Sequence, residues 1–431
     1  MYIRVSLLLF LLENVAPSDA NLFTRGSDTI LRTASRVRHN AVKRSTGLMR
    51  DLRTAYHGVL VDQTDSGSGG TYCINVLSNE STLNGGSGSG SSSGGISGGV
   101  GGSAVASGTS AAVPSASSSA EASSPWKLQQ SYEGNTFFGG WAFFTYTDPT
   151  AGVVDYVNGD AAETSNLTGV NSAGNAYLKV ETTPVVTGYR KSVRITTDFT
   201  YTKALVVLDA VHLPTGCGTW PAFWSNGPNW PDGGEIDIVE GVNDYTNDQV
   251  TLHTNTGCSL PTNNTAQLDI TGTLVSGTDC SVSGTGDSGC GVRATQTDSF
   301  GAPFNAVGGG VYAMNWDDAG ITVHFFNRSA IPADITTGAP QPTSWGTPIA
   351  NFPSSSCNST EFFYDHSAIF DTTLCGDWAG DGWNSTGAPG QEQSCAQRTG
   401  LATCEEFVAN NGAAFEEAYW EIKSVKIYQT S

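Results

Sequence analysis

Pro231-Asp232-Gly233-Gly234-Glu235-Ile236-Asp237-Ile238-Val239-Glu240-Gly241 places acids and β-branched residues in alternation behind a glycine-rich turn. Asp and Glu are poor strand formers, whereas Ile and Val favour strands, so the alternation implies a strand whose two faces differ in kind. In a pleated strand Glu235 and Asp237 share one face while Ile236 and Ile238 share the other. Glu240 is out of phase by one residue. In a regular strand it would point into the core among the isoleucines, where an unpaired carboxylate is costly. One β-bulge near Ile238-Val239 would return it to the face of the first two acids, and bulges are frequent beside active sites. A solvated acidic edge strand would account for the acids alone. It would not account for their interleaving with β-branched residues, the flanking glycines or the adjacent Trp230.

Outward from this strand, the chain from Trp126 onward consists of short β-prone segments divided by turns. Candidate strands are Ala176–Val180, Ser192–Ile195, Ala204–Leu208, Glu235–Val239, Val250–His253, Gly310–Met314, Ile321–Phe326 and Tyr419–Tyr428. Asn226-Gly227, Asp232-Gly233-Gly234 and Asn411-Gly412 are among the turn signals between them. Long helical periodicity is absent. The expectation is an all-β fold, an antiparallel double-sheet β-sandwich of the jelly-roll kind.

Three carboxylates on one face repel each other and push their pKa values apart. Glycoside hydrolysis needs that condition, with one carboxylate ionised as nucleophile and another protonated as general acid. Glu235, Asp237 and Glu240 are therefore the candidate catalytic residues, Asp237 being placed to hold the charge state of its neighbour.

The rest of the 431 residues narrows the setting. Net charge is −20, and from Trp126 onward 11 basic residues face 32 acidic ones. Such a surface repels phosphate backbones, which argues against nucleic acid and anionic membranes as partners. A neutral ligand is compatible with it, and the 10 tryptophans offer flat apolar platforms. Eight of the nine cysteines lie at Cys217, Cys258, Cys280, Cys290, Cys357, Cys375, Cys395 and Cys404; Cys73 stands alone. An even set in an exported chain reads as disulfides, with 105 connectivities open. No Cys-x-x-Cys is present and the six histidines are scattered, so no metal ligand set is assigned.

Arg4, the apolar run Val5 to Leu12 and Ser18-Asp19-Ala20 read as a signal peptide over residues 1–20. Sequons at Asn79, Asn166, Asn263, Asn327, Asn358 and Asn384 fit the same route. Lys426 to Ser431 lack the apolar tail of a lipid anchor, so the expectation is a secreted, extracellular chain with no membrane anchor. Residues 21–65 form a basic leader or propeptide, in which Lys43-Arg44 is either a processing pair or a solvated face. Residues 66–125 are Gly/Ser-rich and cannot bury enough apolar surface to offset their ordering entropy, which makes them a linker. Residues 126–431 are the catalytic domain.

The run Asn229-Trp230-Pro231-Asp232-Gly233-Gly234-Glu235-Ile236-Asp237-Ile238-Val239-Glu240-Gly241-Val242-Asn243 resembles the signature of glycoside hydrolase family 16, nearest the laminarinase-like fungal endo-β-1,3(4)-glucanases. The likeness extends to Gly216-Cys217-Gly218-Thr219-Trp220-Pro221-Ala222-Phe223-Trp224, Thr251-Leu252-His253-Thr254 and Cys375-Gly376-Asp377-Trp378-Ala379-Gly380. The resemblance implies Glu235 as nucleophile, Glu240 as acid/base and Asp237 as the orienting carboxylate. By the same resemblance His253 lines the cleft, Trp230 and Trp378 stack on glucose, and Arg190 contacts substrate, with Arg194 an equal candidate by spacing. Trp220 and Trp224 are read either as further platforms or as core. Gly139 and His324 depart from the family pattern, which commonly has Asp and an aromatic residue there.

The implied enzyme is a monomer with a concave, open-ended cleft that hydrolyses β-glucan of the laminarin or lichenan type with retention. It needs no cofactor, and the resemblance allows for a structural calcium ion on the outer face. A transglycosylase or a non-catalytic β-glucan-binding lectin on the same scaffold are the alternatives.

Overall fold

The computed structural model describes residues 124–430. The expected signal peptide, the leader and the linker up to 123, with Lys43-Arg44, Cys73 and Asn79, lie outside the described residues, while the last two linker residues, Ser124 and Pro125, are within them and Ser124 is buried. The described chain opens with β1 (Trp126–Glu133), β2 (Trp141–Phe143), β3 (Val154–Tyr156), β4 (Thr168–Val170), β5 (Ala176–Lys179), β6 (Arg190–Ser192) and β7 (Ile195–Thr197). Next come β8 (Leu205–His212), β9 (Thr219–Asn226), β10 (Glu235–Glu240), β11 (Gln249–His253), β12 (Thr273–Leu274) and β13 (Cys290–Arg293). The last segments are β14 (Gly310–Asp317), β15 (Gly320–Asn327), β16 (Ala350–Pro353), β17 (Ser367–Leu374) and β18 (Tyr419–Thr430). Helices are short insertions, such as Cys404–Asn410 and Cys395–Thr399.

Two 8-stranded sheets result. The first runs β16-β15-β14-β8-β18-β5-β4, with β1 also paired to β18; the second runs β12-β13-β11-β10-β9-β17-β7-β2. Every pairing in them is antiparallel. A separate parallel ribbon joins β3 to β6.

Alternation decides what fills the space between the sheets. From the second sheet come Phe223, Ile236, Ile238, Val239, Val250, Leu252 and Phe370. They meet Val206, Leu208, Tyr312, Met314, Trp316, Val323, Trp420 and Val425 of the first. Each fully buried aliphatic or aromatic side chain contributes roughly 1.5–3 kcal/mol by leaving water, so this shared layer is what holds the two sheets together. The other face of the second sheet is left for the polar residues of β9, β10 and β17. His324, the departure noted above, is on β15 of the first sheet. It is stacked on Phe326 and bonded to the Gly346 carbonyl, well apart from the acidic strand in the topology.

The eight clustered cysteines pair as Cys217–Cys395, Cys258–Cys357, Cys280–Cys290 and Cys375–Cys404. Two of these bridges fasten the start of β9 and the end of β17 to the segment 395–404, bracing the turn that carries Trp378. The sequence had established a disulfide set, not these partners.

Candidate functional site

The acidic strand begins from a turn that only glycine can make. A Cβ on Gly233 would lie 2.6 Å from the Gly227 carbonyl carbon, and Gly234 sits at φ +76° against the Phe362 carbonyl. Gly227 N–H donates to the Gly234 carbonyl at 3.0 Å, and Gly233 N–H to that of Pro228 at 3.1 Å. His366 clamps the turn from the neighbouring strand. Its Nε2 meets the Gly233 carbonyl at 2.8 Å and its Nδ1 meets Ser225 Oγ at 2.9 Å. Burial drives the His366 pKa down to about 3, against the pull of the Gly233 carbonyl. The ring is neutral, so Nε2–H donates and Nδ1 accepts.

Beyond the turn, Ile236 pairs with Ser225 and Asp237 with Trp224, and then Val239, not Ile238, pairs with Phe223. Ile238 is the extra residue of a β-bulge, at the place the alternation demands. Ile236, Ile238 and Val239 are all buried, while Glu240 emerges beside Ala222 on the face of Glu235 and Asp237. Pairing with β11 runs only from Glu235–His253 to Asp237–Thr251. Past that point the Glu240 N–H is taken by a side chain, Asp248 Oδ1, at 3.0 Å. Asp248 is itself fully buried, and its own N–H is bonded to Ser299 Oγ.

Each acid on the open face meets a named partner. Trp230 Nε1–H donates to Glu235 Oε2, and Trp220 Nε1–H donates to Glu240 Oε1 at 2.7 Å. His253 Nε2 faces Asp237 Oδ2 at 3.2 Å as an ion pair. A fourth carboxylate, Asp371 on β17, accepts from Trp224 Nε1 at 3.1 Å. Burial raises Glu240 well above the carboxylate range, with Asp237 and Glu235 adding to the rise and the Trp220 bond and His253 opposing it. Burial works against charge on His253, yet the bond to Asp237 and the charges of Glu235, Asp237 and Asp287 hold its pKa at about 10. Burial also lifts Asp371 to about 7, with Arg194 opposing. The face therefore holds Glu240 pushed toward its protonated form beside the His253–Asp237 ion pair. That is an arrangement for giving a proton to something bound there.

The aromatic candidates fall on the same side. Trp220 and Trp224 are half-buried on the open face rather than in the core, and Trp378 stands edge-on to Trp220 at 5.8 Å. His253, opposite Glu235, is half-buried there as well. Arg190 requires a correction. Its guanidinium is fully buried and donates to the carbonyls of Val408, Glu181 and Thr183, so it is enclosed and cannot reach a substrate. The alternative by spacing, Arg194, is the arginine on the open face, its guanidinium 5.0 Å from the Trp224 ring centroid.

Asp371, Asp248 and His366 were not foreseen. The signal for Asp371 was present, since Phe370-Asp371-Thr372-Thr373 puts an acid among strand formers as the acidic strand does. Ligand-type side chains close enough to share an ion form two groups among the described residues. They are Glu235–Asp237–His253 and Cys217–Asp244–Cys395. The first offers an imidazole nitrogen with two carboxylates and the second a disulfide with one carboxylate, so neither is the set of six or more oxygens that calcium takes.

Residues 141–428 match the family described as XgeA-like, catalytic GH16 domain. A probable endo-1,3(4)-beta-glucanase of Aspergillus clavatus is 45% identical over 314 residues, 72% of this chain and 47% of that protein. The chain thus spans about half the length of that relative. GH16 laminarinase 16A from Phanerochaete chrysosporium, solved with 6-O-glucosyl-laminaritriose in both donor and acceptor sites, is similar at 37% identity with a TM-score of 0.64. The match covers 70% of this chain and 99% of that one. An elongating GH family 16 beta-1,3-glucosyltransferase is similar at 40% identity with a TM-score of 0.63, covering 70% and 100%. The sheets described above are the jelly roll of these neighbours.

Proposed function

Because the chain belongs to glycoside hydrolase family 16, we propose that it is a secreted, retaining endo-β-glucanase acting on 1,3- and 1,3/1,4-linked glucans. The observation that carries this reading is the inequality of two glutamates on one face. Burial and the charge of Asp237 push Glu240 toward its protonated form, whereas Glu235 is directly bonded to the Trp230 indole N–H, a donor suited to a carboxylate. One acid is ready to give a proton and the other to attack.

In the first step a Glu235 oxygen bonds to the anomeric carbon while the bond to the leaving sugar's oxygen breaks and Glu240 protonates that oxygen. The product is a glycosyl ester on Glu235. Glu240, now a carboxylate, takes a proton from water as that water attacks the anomeric carbon and frees Glu235. Two inversions give net retention. Asp237, paired to the charged His253, keeps negative charge beside Glu240 and so favours the protonated form that the first step needs. Four surface sequons, at Asn166, Asn263, Asn358 and Asn384, and the paired cysteines support an exported protein. The catalytic unit is taken to start at Trp126, because β1 pairs along β18.

The same constellation supports transfer to a sugar hydroxyl in place of water, and the glucosyltransferase neighbour at 40% identity favours keeping that reading. Azide distinguishes the roles. Glu235→Ala should yield an α-glycosyl azide from an activated β-glucoside, and Glu240→Ala a β-glycosyl azide. NMR of the anomers reverses the assignment if they come out swapped, and wild-type-like turnover in either variant removes the acidic strand as the catalytic centre. Products longer than the starting oligosaccharide in the wild-type reaction would select the transferase.

A further inference from the structure

The open face of the second sheet continues past Trp224 to an aromatic surface that the chemistry above leaves unused. Register sets one row across it. Glu240 on β10 lies opposite Ala222 on β9, and Ala222 lies opposite Asp371 on β17. Phe370 pairs with Ile195, and Ile195 with Phe143, so the next antiparallel step sets Asp371 beside Arg194 and Arg194 beside Phe144. The Phe144 N–H donates to the Arg194 carbonyl at 2.9 Å, as that step requires. Phe143 packs on the core between the sheets, whereas Phe144 is half-buried against a second buried cluster and meets its Tyr156 edge-on at 5.8 Å. Four inter-strand steps of ~4.8 Å carry the row roughly 19 Å from Glu240, a span of several sugar rings.

Along the row the Arg194 guanidinium is held between two rings, 5.0 Å from the Trp224 centroid and 4.4 Å from that of Phe144. Its Nε has no hydrogen-bond partner among the described residues. Phe144 meets Tyr146 edge-on at 5.4 Å, and Tyr146 is 62% exposed. An aromatic ring so exposed is ordinarily on a loose loop, but this loop is braced. Asp148 Oδ2 accepts from the Gly152 N–H at 3.0 Å and from Thr150 Oγ1 at 2.9 Å. Gly152 is bridged to Cys375, and the Asp377 N–H donates to the Thr150 carbonyl at 2.9 Å, tying the loop to the turn that carries Trp378. A fixed ring with a hydroxyl at its edge, at the end of a run continuous with the catalytic face, suits the C–H face of a neutral pyranose.

We infer that Tyr146, backed by Phe144 and Arg194, is a distal binding subsite for the β-glucan chain, engaged only by chains long enough to reach across the sheet from Glu240. The inference rests on the reading of the acidic strand as a glucanase centre. Kinetics of Tyr146→Ala and Tyr146→Phe on laminaritriose and laminariheptaose test it. The ratio of kcat/KM on the long chain to that on the short one should fall ~3–10-fold in the Ala variant, mainly through KM, and stay near wild type in the Phe variant. Equal losses on both substrates, or none on either, overturn the subsite. If the wild-type protein cleaves neither, the glucanase reading fails instead. Calorimetric binding of laminariheptaose to Glu235→Gln, with and without Tyr146→Ala, then judges the subsite: unchanged affinity overturns it and weakened affinity sustains it.

Discussion

Three indole N–H groups each address a different carboxylate, Trp230 to Glu235, Trp220 to Glu240 and Trp224 to Asp371. A tryptophan beside an acid is usually valued for its apolar face, but here the polar edge sets the acid's proton affinity. The Trp220 bond lowers a Glu240 pKa that burial and Asp237 raise. Replacing Trp220 with Phe keeps most of the ring and removes the donor, so Glu240 should hold its proton to higher pH. As the proton donor must be protonated, activity is lost as pH rises through its pKa. The basic limb of the kcat/KM profile should therefore move upward in Trp220→Phe, with a fall in rate on the order of 10-fold from the lost hydrogen bond to a partly charged group. A limb that moves downward, or stays put while kcat collapses, would make Trp220 a packing residue only.

The bulge is where sequence and structure meet most closely among the elements. Three acids at that spacing left a regular strand only one costly outcome, a carboxylate among isoleucines, so alternation alone located the extra residue. The strands on either side were less legible. β9 contains Pro221 between two hydrogen-bonded neighbours, and its Trp-Pro-Ala-Phe-Trp order reads as a motif before it reads as a strand. β17 is almost wholly buried, and its alternation is broken, with Ile369 on the face of Asp371 and Thr372 on the face of Phe370. Arg190 misled because it lies only four positions before Arg194, and only the pairing of β6 with β3 in a separate ribbon reveals which arginine is sealed off. Asp248 is a contact between a loop-proximal side chain and a backbone N–H, which no local pattern encodes. Its geometry still predicts behaviour. Asp248→Asn retains an acceptor for the Glu240 N–H and should stay near wild type. Asp248→Ala orphans a partly buried donor at the bulge's exit, costing ~1–3 kcal/mol in stability and ~10–100-fold in kcat at little change in KM. Equal kinetics for Asn and Ala variants, each measured on folded protein, would show that the bond does not position Glu240.

At the scale of the whole molecule, buried titratable groups link stability to acidity. His366 falls from 6.5 to about 3 on folding, so between those values the unfolded chain binds a proton that the folded one refuses. Its contribution is complete above about 6.5 and is lost as pH falls toward 3. Asp371 works the other way. Lifted from 3.8 to about 7, it takes up a proton in the folded state first, so its burial costs most above 7 and least below 3.8. In the window from 6.5 to 4 the two effects oppose each other and flatten the wild-type profile. His366→Gln removes one of them. The variant should be less stable at pH 7 through its altered bonds to Gly233 and Ser225, yet the deficit should shrink as pH falls to 4, by up to on the order of 1 kcal/mol per pH unit. Thermal melts of both proteins across that window measure the difference directly. A deficit independent of pH would mean His366 is not the titrating group.

The pairing of indole edges with carboxylates also gives the molecule an optical consequence. An indole's emission responds to the charge and proton at its ring nitrogen, and three half-buried rings here have that nitrogen fixed on acids of the reacting face. Light emitted by the protein alone should shift when Glu240 loses its proton and again when a sugar displaces the solvent over Trp220 or Trp224. The protonation state of the centre could then be followed in the resting enzyme, with no turnover and no added dye.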